Sequence, residues 1–157
     1  MTEHDAITAF RGIVDRLRRD TGASRTTIRV DCAPLDLEME TVAVESLDHG
    51  AKAIEGKRTP GMRDSAAPSW LRRNRRTFVM EDCLNPWAPE VAPEDYVIDL
   101  YGIRSEMVAG IFRGDDMIGI VSVHYVKGPR SWSDGEVAMI ERACDDVLTI
   151  VEDLEKG

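Results

Sequence analysis

Cysteine is scarce, aromatic residues make up only 6% of the chain, and no apolar run approaches the length of a membrane span. The three cysteines, Cys32, Cys83 and Cys144, are odd in number and far apart, which excludes a disulfide framework and lacks the close spacing of a zinc site. A reducing cytoplasm is the compartment they suit. The chain opens Met-Thr-Glu-His-Asp and enters an amphipathic pattern directly, without the basic segment and apolar stretch of a secretory signal. Positive charge is in deficit: 20 Lys and Arg stand against 29 Asp and Glu, a formal charge of -9. The resulting field repels phosphate backbones and anionic lipid, so neither nucleic acid nor membrane is expected as a partner. The one basic cluster, Arg72, Arg73, Arg75 and Arg76, reads as a solvated helix face.

What remains is the composition of a packed protein, 43% hydrophobic and 31% charged over 157 residues, long enough for one domain to bury its own core. A single domain over 1–157 is expected. Ile7, Phe10, Ile13, Val14 and Leu17 recur at helical spacing, with Thr2 and Asp5 to cap the start and Gly22 to stop it, predicting a helix over 3–20. Thr26, Ile28, Val30 and Cys32 then alternate with Arg25, Thr27, Arg29 and Asp31, the period of a strand with one buried face. A second β-prone run over 38–46 offers it a partner. Between 48 and 68 the periodicity fades, which suits either a binding loop or slack surface.

Pro68 suits the first turn of a helix carrying Trp70 and Leu71, and 77–80 reads as a strand followed by a proline-rich connector. Pro93 opens another short helix with Tyr96, Val97, Leu100 and Tyr101, and Gly102 can end it. The runs 103–113 and 117–126 flank Gly114-Asp115-Asp116 and predict an antiparallel hairpin. Ser133 and Glu136 form a capping box for the last helix, with Trp132 and Val137 at the positions of a hydrophobic staple. Its apolar stripe of Val137, Ile140, Cys144, Val147, Val151 and Leu154 has heptad-like spacing, suited to packing on a sheet or to a homodimer seam between terminal helices. This order of elements predicts an α+β fold, an antiparallel sheet with helices on its faces.

The segments Gly102-Ile103-Arg104-Ser105-Glu106-Met107-Val108-Ala109, Gly119-Ile120-Val121-Ser122-Val123-His124 and Trp132-Ser133-Asp134-Gly135-Glu136 resemble, in order and spacing, the C-terminal half of a GAF domain. The resemblance covers roughly residues 77–155. It implies a ligand cavity between the sheet and its irregular connecting segments, and hence a small-molecule-binding module. The Asn-Lys and Phe-Asp-Glu residues of cyclic-nucleotide GAF domains are missing, and no cysteine sits in a bilin-attachment motif. Ser105-Glu106 matches a pair found in the free methionine-R-sulfoxide reductases, where the carboxylate holds the substrate's amine. That branch's catalytic cysteine falls about where this chain has Asp99, so the resemblance does not extend to its chemistry.

If Glu106 points into the cavity as in those relatives, strand alternation sends Arg104 and Val108 the same way, and the paired strand offers Ser122 and His124. Such a set suits a zwitterion or an amide, because Arg presents a donor fork to carboxylates and Glu accepts from N–H groups. Trp70, Trp87, Tyr96 and Tyr101 lie on segments that would roof the cavity, as core, lid or aromatic wall. His49 and His124 are the only candidates for axial haem ligation, a weak signal, and the sequence specifies no cofactor and no metal. The leading expectation is a cytoplasmic sensory or regulatory module for a polar metabolite that signals to a partner or across its own dimer. The alternative is a small enzyme with Glu106 and His124 as acid–base groups and Cys83 as a possible nucleophile. A third reading is a purely structural subunit, for which alanine at Glu106 would change nothing.

Overall fold

The computed structural model describes residues 1–157. Helix α1 spans Glu3–Thr21. Its start is fixed reciprocally: Asp5 N donates to Thr2 Oγ1 at 3.0 Å and Thr2 N donates to Asp5 Oδ2 at 3.2 Å, satisfying two otherwise orphaned amides. Strands β1 (Arg25–Val30) and β2 (Val44–Leu47) pair antiparallel. Helix α2 (Ala66–Asn74) and strand β3 (Phe78–Met80) follow, then the hairpin of β4 (Ser105–Arg113) and β5 (Asp116–Tyr125), and helix α3 (Asp134–Lys156). The five strands form one antiparallel sheet in the order β2-β1-β5-β4-β3, which puts the first strand beside the last. This is the expected α+β architecture.

Helices α1 and α3 cover one face. Phe10, Val14 and Leu17 of α1 and Ile140, Cys144, Val147 and Val151 of α3 meet Ile28, Val30, Met107, Val121 and Val123 of the sheet. Complete burial of such side chains contributes about 1.5–3 kcal/mol each. The heptad-like stripe of α3 is therefore spent within the chain, on the sheet and on α1. At the other end of α3, Ser133 and Glu136 form the capping box, and Trp132 packs against the core while its Nε1–H donates to Ser105 Oγ at 2.9 Å.

Two expectations need correction. The second β-prone run reaches sheet geometry only at 44–47, because residues 40–42 are drawn away by the loop that follows: Val42 N donates to Lys57 O at 3.0 Å and Thr59 N to Glu40 O at 2.8 Å. Strand β1 is buried on both faces, not one: Arg25, Thr27 and Arg29 are as inaccessible as Ile28 and Val30. The alternation is real, but the polar face is covered by the irregular segments between β2 and β4. Contact between β1 and β5 is especially close at Gly119, where a Cβ atom would stand 2.3 Å from Arg29 O and 2.8 Å from Val30 Cα.

Candidate functional site

Under those irregular segments the sheet carries rows of side chains set by strand register. One row crosses Arg25 (β1), His124 (β5), Glu106 (β4) and Met80 (β3); the next crosses Thr27, Ser122, Val108 and Phe78; a third begins with Arg29 and Ile120. Because strand side chains alternate between faces, all of these lie opposite the α1/α3 core. Above them close the loop residues Ile54 and Met62, the start of α2 at Ala66 and Ala67, and the connector residues Val91, Glu94, Tyr96 and Tyr101. Between floor and roof lies a cavity of about 60 Å³. A single water needs ~10–15 Å³ by the same measure, so there is room for a group of a few heavy atoms.

The roof segment over Tyr96–Leu100 is wound more loosely than an α-helix: Tyr101 N donates to Tyr96 O at 2.9 Å, five residues back. Single turns of this kind are frequent at functional sites. Gly102 ends it at a φ of +69°, a conformation disfavoured for any residue with a Cβ. The wide turn projects both tyrosines over the sheet, their rings edge to face at 5.6 Å. Tyr101 also exchanges a hydrogen bond with Thr59 Oγ1 at 3.0 Å.

Arg25 is the most enclosed group at the site, with 0% exposure. Its Nε and Nη2 donate to Lys52 O at 3.1 and 2.6 Å, Nη2 also donates to Tyr101 O at 3.1 Å, and Nη1 donates to His124 Nδ1 at 3.0 Å. A guanidinium has no acceptor, so Nδ1 must be the acceptor and the imidazole proton sits on Nε2. Burial, reinforced by Arg25 and Arg29, holds the His124 pKa well below the ordinary histidine value. His124 is thus a neutral N–H donor toward the cavity. A neutral imidazole with Nδ1 already occupied does not favour the acid–base role that the enzyme alternative gives His124.

Glu106 is 7% exposed and receives no hydrogen bond from the protein. Burial, with a smaller contribution from the charge of Glu94, pushes its pKa up to about 7. Glu94 itself is engaged at the start of α2, where its Oε1 accepts from Ala66 N at 2.7 Å. Arg29, 3% exposed, donates through Nη1 to Glu40 O at 2.7 Å.

Of the residues singled out from the sequence, Glu106, Ser122, His124, Tyr96 and Tyr101 line this one cavity. Arg104 does not: the chain bends ahead of Ser105, so strand alternation stops short of it, and its N–H is tied to Tyr125 O while its carbonyl accepts from Cys83 N. Trp70 packs edge to face on Phe78 beside the cavity, and Trp87, 53% exposed, caps the same cluster and donates Nε1–H to Val79 O. Cys83 is buried outside the lining, and burial with the nearby Glu106 and Asp82 carboxylates pushes its thiol pKa strongly upward. His49 sits on the 48–61 loop, away from the lining.

The site residues that sequence reasoning missed are Arg25, Thr27, Arg29 and Glu94. The first three had the signature of a solvated strand face, and only the position of β1 between β2 and β5, under a covering loop, reveals otherwise.

The GAF domain family profile matches residues 5–149. No sequence among curated proteins matches the chain. Solved structures share its fold at low identity. The blue-light absorbing form of the Thermosynechococcus elongatus PixJ GAF domain aligns at 20% identity with a TM-score of 0.70, over 98% of this chain and 86% of that one. The far-red absorbing dark state of JSC1_58120g3 with bound biliverdin IXa aligns at 20% identity and 0.68, over 99% of each chain. The chromophore-binding domain of a bacteriophytochrome, RpBphP3 from R. palustris, aligns at 18% identity and 0.74, over 96% of this chain and 57% of that one. Five antiparallel strands, helices packed on one face and a roofed cavity on the other agree with that profile match over nearly the whole length: the chain belongs to the GAF domain family.

Proposed function

We propose that this protein is a sensory or regulatory module whose cavity binds a small metabolite with a polar head. One observation carries the reading. Glu106 is a buried carboxyl without a protein hydrogen-bond partner, and it borders a cavity together with the Nε2–H of His124 and the hydroxyl of Ser122. Burying a polar group without a partner costs free energy, which a ligand that completes its hydrogen bonds would return.

Reversible binding has more support here than turnover. His124 already carries its proton on Nε2 and has Nδ1 occupied, so it lacks a free basic nitrogen, and Cys83 holds its proton too firmly to supply a thiolate. Size separates the reading from the biliverdin-bearing neighbour, since a cavity of about 60 Å³ does not admit a tetrapyrrole. Assembly through the terminal helices, also part of the proposal, would use the groove bearing Arg16, Asp20, Met139 and Arg142, because the apolar stripe of α3 is already packed.

Native mass spectrometry of the freshly purified protein reads subunit number and any retained molecule together. A retained or added small molecule that raises the melting temperature of the wild type but not of Glu106→Leu, which removes the polar head, supports the reading. Ligands that stabilise both proteins equally would overturn it.

A further inference from the structure

The cavity wall holds an imbalance of charge that narrows the ligand class, on the reading above that the cavity is a ligand site. Arg25 and Arg29 are both buried, and neither forms an ion pair; their hydrogen bonds go to backbone carbonyls, a threonine hydroxyl, an imidazole and, for Arg29, the Tyr101 hydroxyl. A buried carboxyl relieves its own desolvation by keeping its proton, and Glu106 does so below about pH 7. A guanidinium cannot release its proton in a protein, so its charge stays. Arg29 in the lining and Arg25 behind His124 stand against the single charged carboxylate of Glu94, so while Glu106 keeps its proton the charge around the cavity is positive.

Four of the five N–H donors of Arg25 are engaged. Arg29 reaches the lining, where Thr27, Ser122 and the Nε2–H of His124 are further donors. The start of α2 would be the natural seat for a phosphate, but Glu94 already occupies its first amide and places negative charge there. The rest of the wall is apolar, with Phe78, Val108 and Ile120 on the floor.

We propose that the ligand is a small carboxylic acid with an apolar body, its carboxylate received by Arg29 and its body lying over Phe78, Val108 and Ile120. A planar carboxylate matches the donor fork of one guanidinium, whereas a phosphate would meet the Glu94 carboxylate at the helix start.

Titration calorimetry on the whole protein tests this with propionate and isobutyrate, their amides as neutral isosteres, and isobutylammonium as the cation of similar shape. At least one carboxylate should bind about tenfold or more tightly than its amide, a preference that Arg29→Met should abolish and Arg29→Lys partly restore. Circular dichroism and thermal melting establish that the variants are folded. Should R29M fail to fold, the carboxylate-to-amide ratio in the wild type decides alone. An amide or isobutylammonium that binds as tightly as the acids overturns the carboxylate class while leaving the cavity a ligand site. If none of the probes binds at millimolar concentration, both this inference and the binding reading fall.

Discussion

Replacing Glu106 by glutamine should make the protein more stable, and increasingly so as pH rises. In the folded protein the Glu106 carboxyl protonates at about 7, against an ordinary value of 4.5. Below pH 4.5 folded and unfolded chains are both protonated there and nothing is lost. Between 4.5 and about 7 the folded chain holds a proton that the unfolded chain has released, so stability falls as pH rises; above about 7 the loss is complete. The distance from 4.5 to about 7, at about 1.36 kcal/mol per pH unit, amounts to about 3 kcal/mol, and the near-complete burial of the group leaves little solvent screening to reduce it. The glutamine side chain of E106Q imitates the protonated acid and carries no such penalty. The groups facing Glu106 are His124 from β5, Arg25 and Arg29 from β1, and Glu94, Cys83 and the two tyrosines from the connectors; all are common to both proteins and cancel in the difference. Urea unfolding of both proteins should show E106Q ahead by under about 1 kcal/mol near pH 5 and by about 3 kcal/mol near pH 8.5. A difference that does not change with pH would refute a buried, proton-holding Glu106, and so would a glutamine variant that is less stable at alkaline pH.

Arg25→Met should cost about 3–5 kcal/mol, since it strands the carbonyls of Lys52 and Tyr101, and it should let the His124 pKa rise toward its ordinary value, read by NMR titration of the imidazole. In the folded protein all three cysteines should react slowly with a disulfide-exchange reagent and promptly once guanidinium is added; Cys83 reacting at once in the native state would contradict its burial. Gly119→Ala sets a methyl group against the backbone of β1 and should destabilise by about 3 kcal/mol, whereas Gly12→Ala, where the same atom meets nothing, should be neutral or stabilising in thermal melts.

Much of this arrangement is written locally. Thr2 with Asp5 and Ser133 with Glu136 specify their helix starts within four residues, and Gly114-Asp115 turns between two β-branched runs, so both termini and the central hairpin are legible from spacing alone. Glu106, Ser122 and His124 follow once the hairpin is recognised, because register puts His124 opposite Glu106 and alternation fixes the shared face. Arg104 escaped because alternation holds only while the strand does. Arg25, Thr27 and Arg29 were illegible for a different reason: a covered polar face and a wet one have the same sequence period, and the covering loop has no period of its own. Which of the two is present depends on contacts such as Arg25 to Lys52 and Tyr101, between residues 27 and 76 positions apart.

Those contacts also make Arg25 a latch. One side chain pins the 48–61 loop through Lys52 and the wide turn through Tyr101, while its remaining nitrogen grips the imidazole of the cavity floor. The two halves of the roof cannot swing apart separately without releasing the same guanidinium. Displacing either half of the roof therefore breaks hydrogen bonds made by one and the same side chain. If the cavity binds a ligand as proposed, a pull on His124 is passed through one guanidinium to both roof segments.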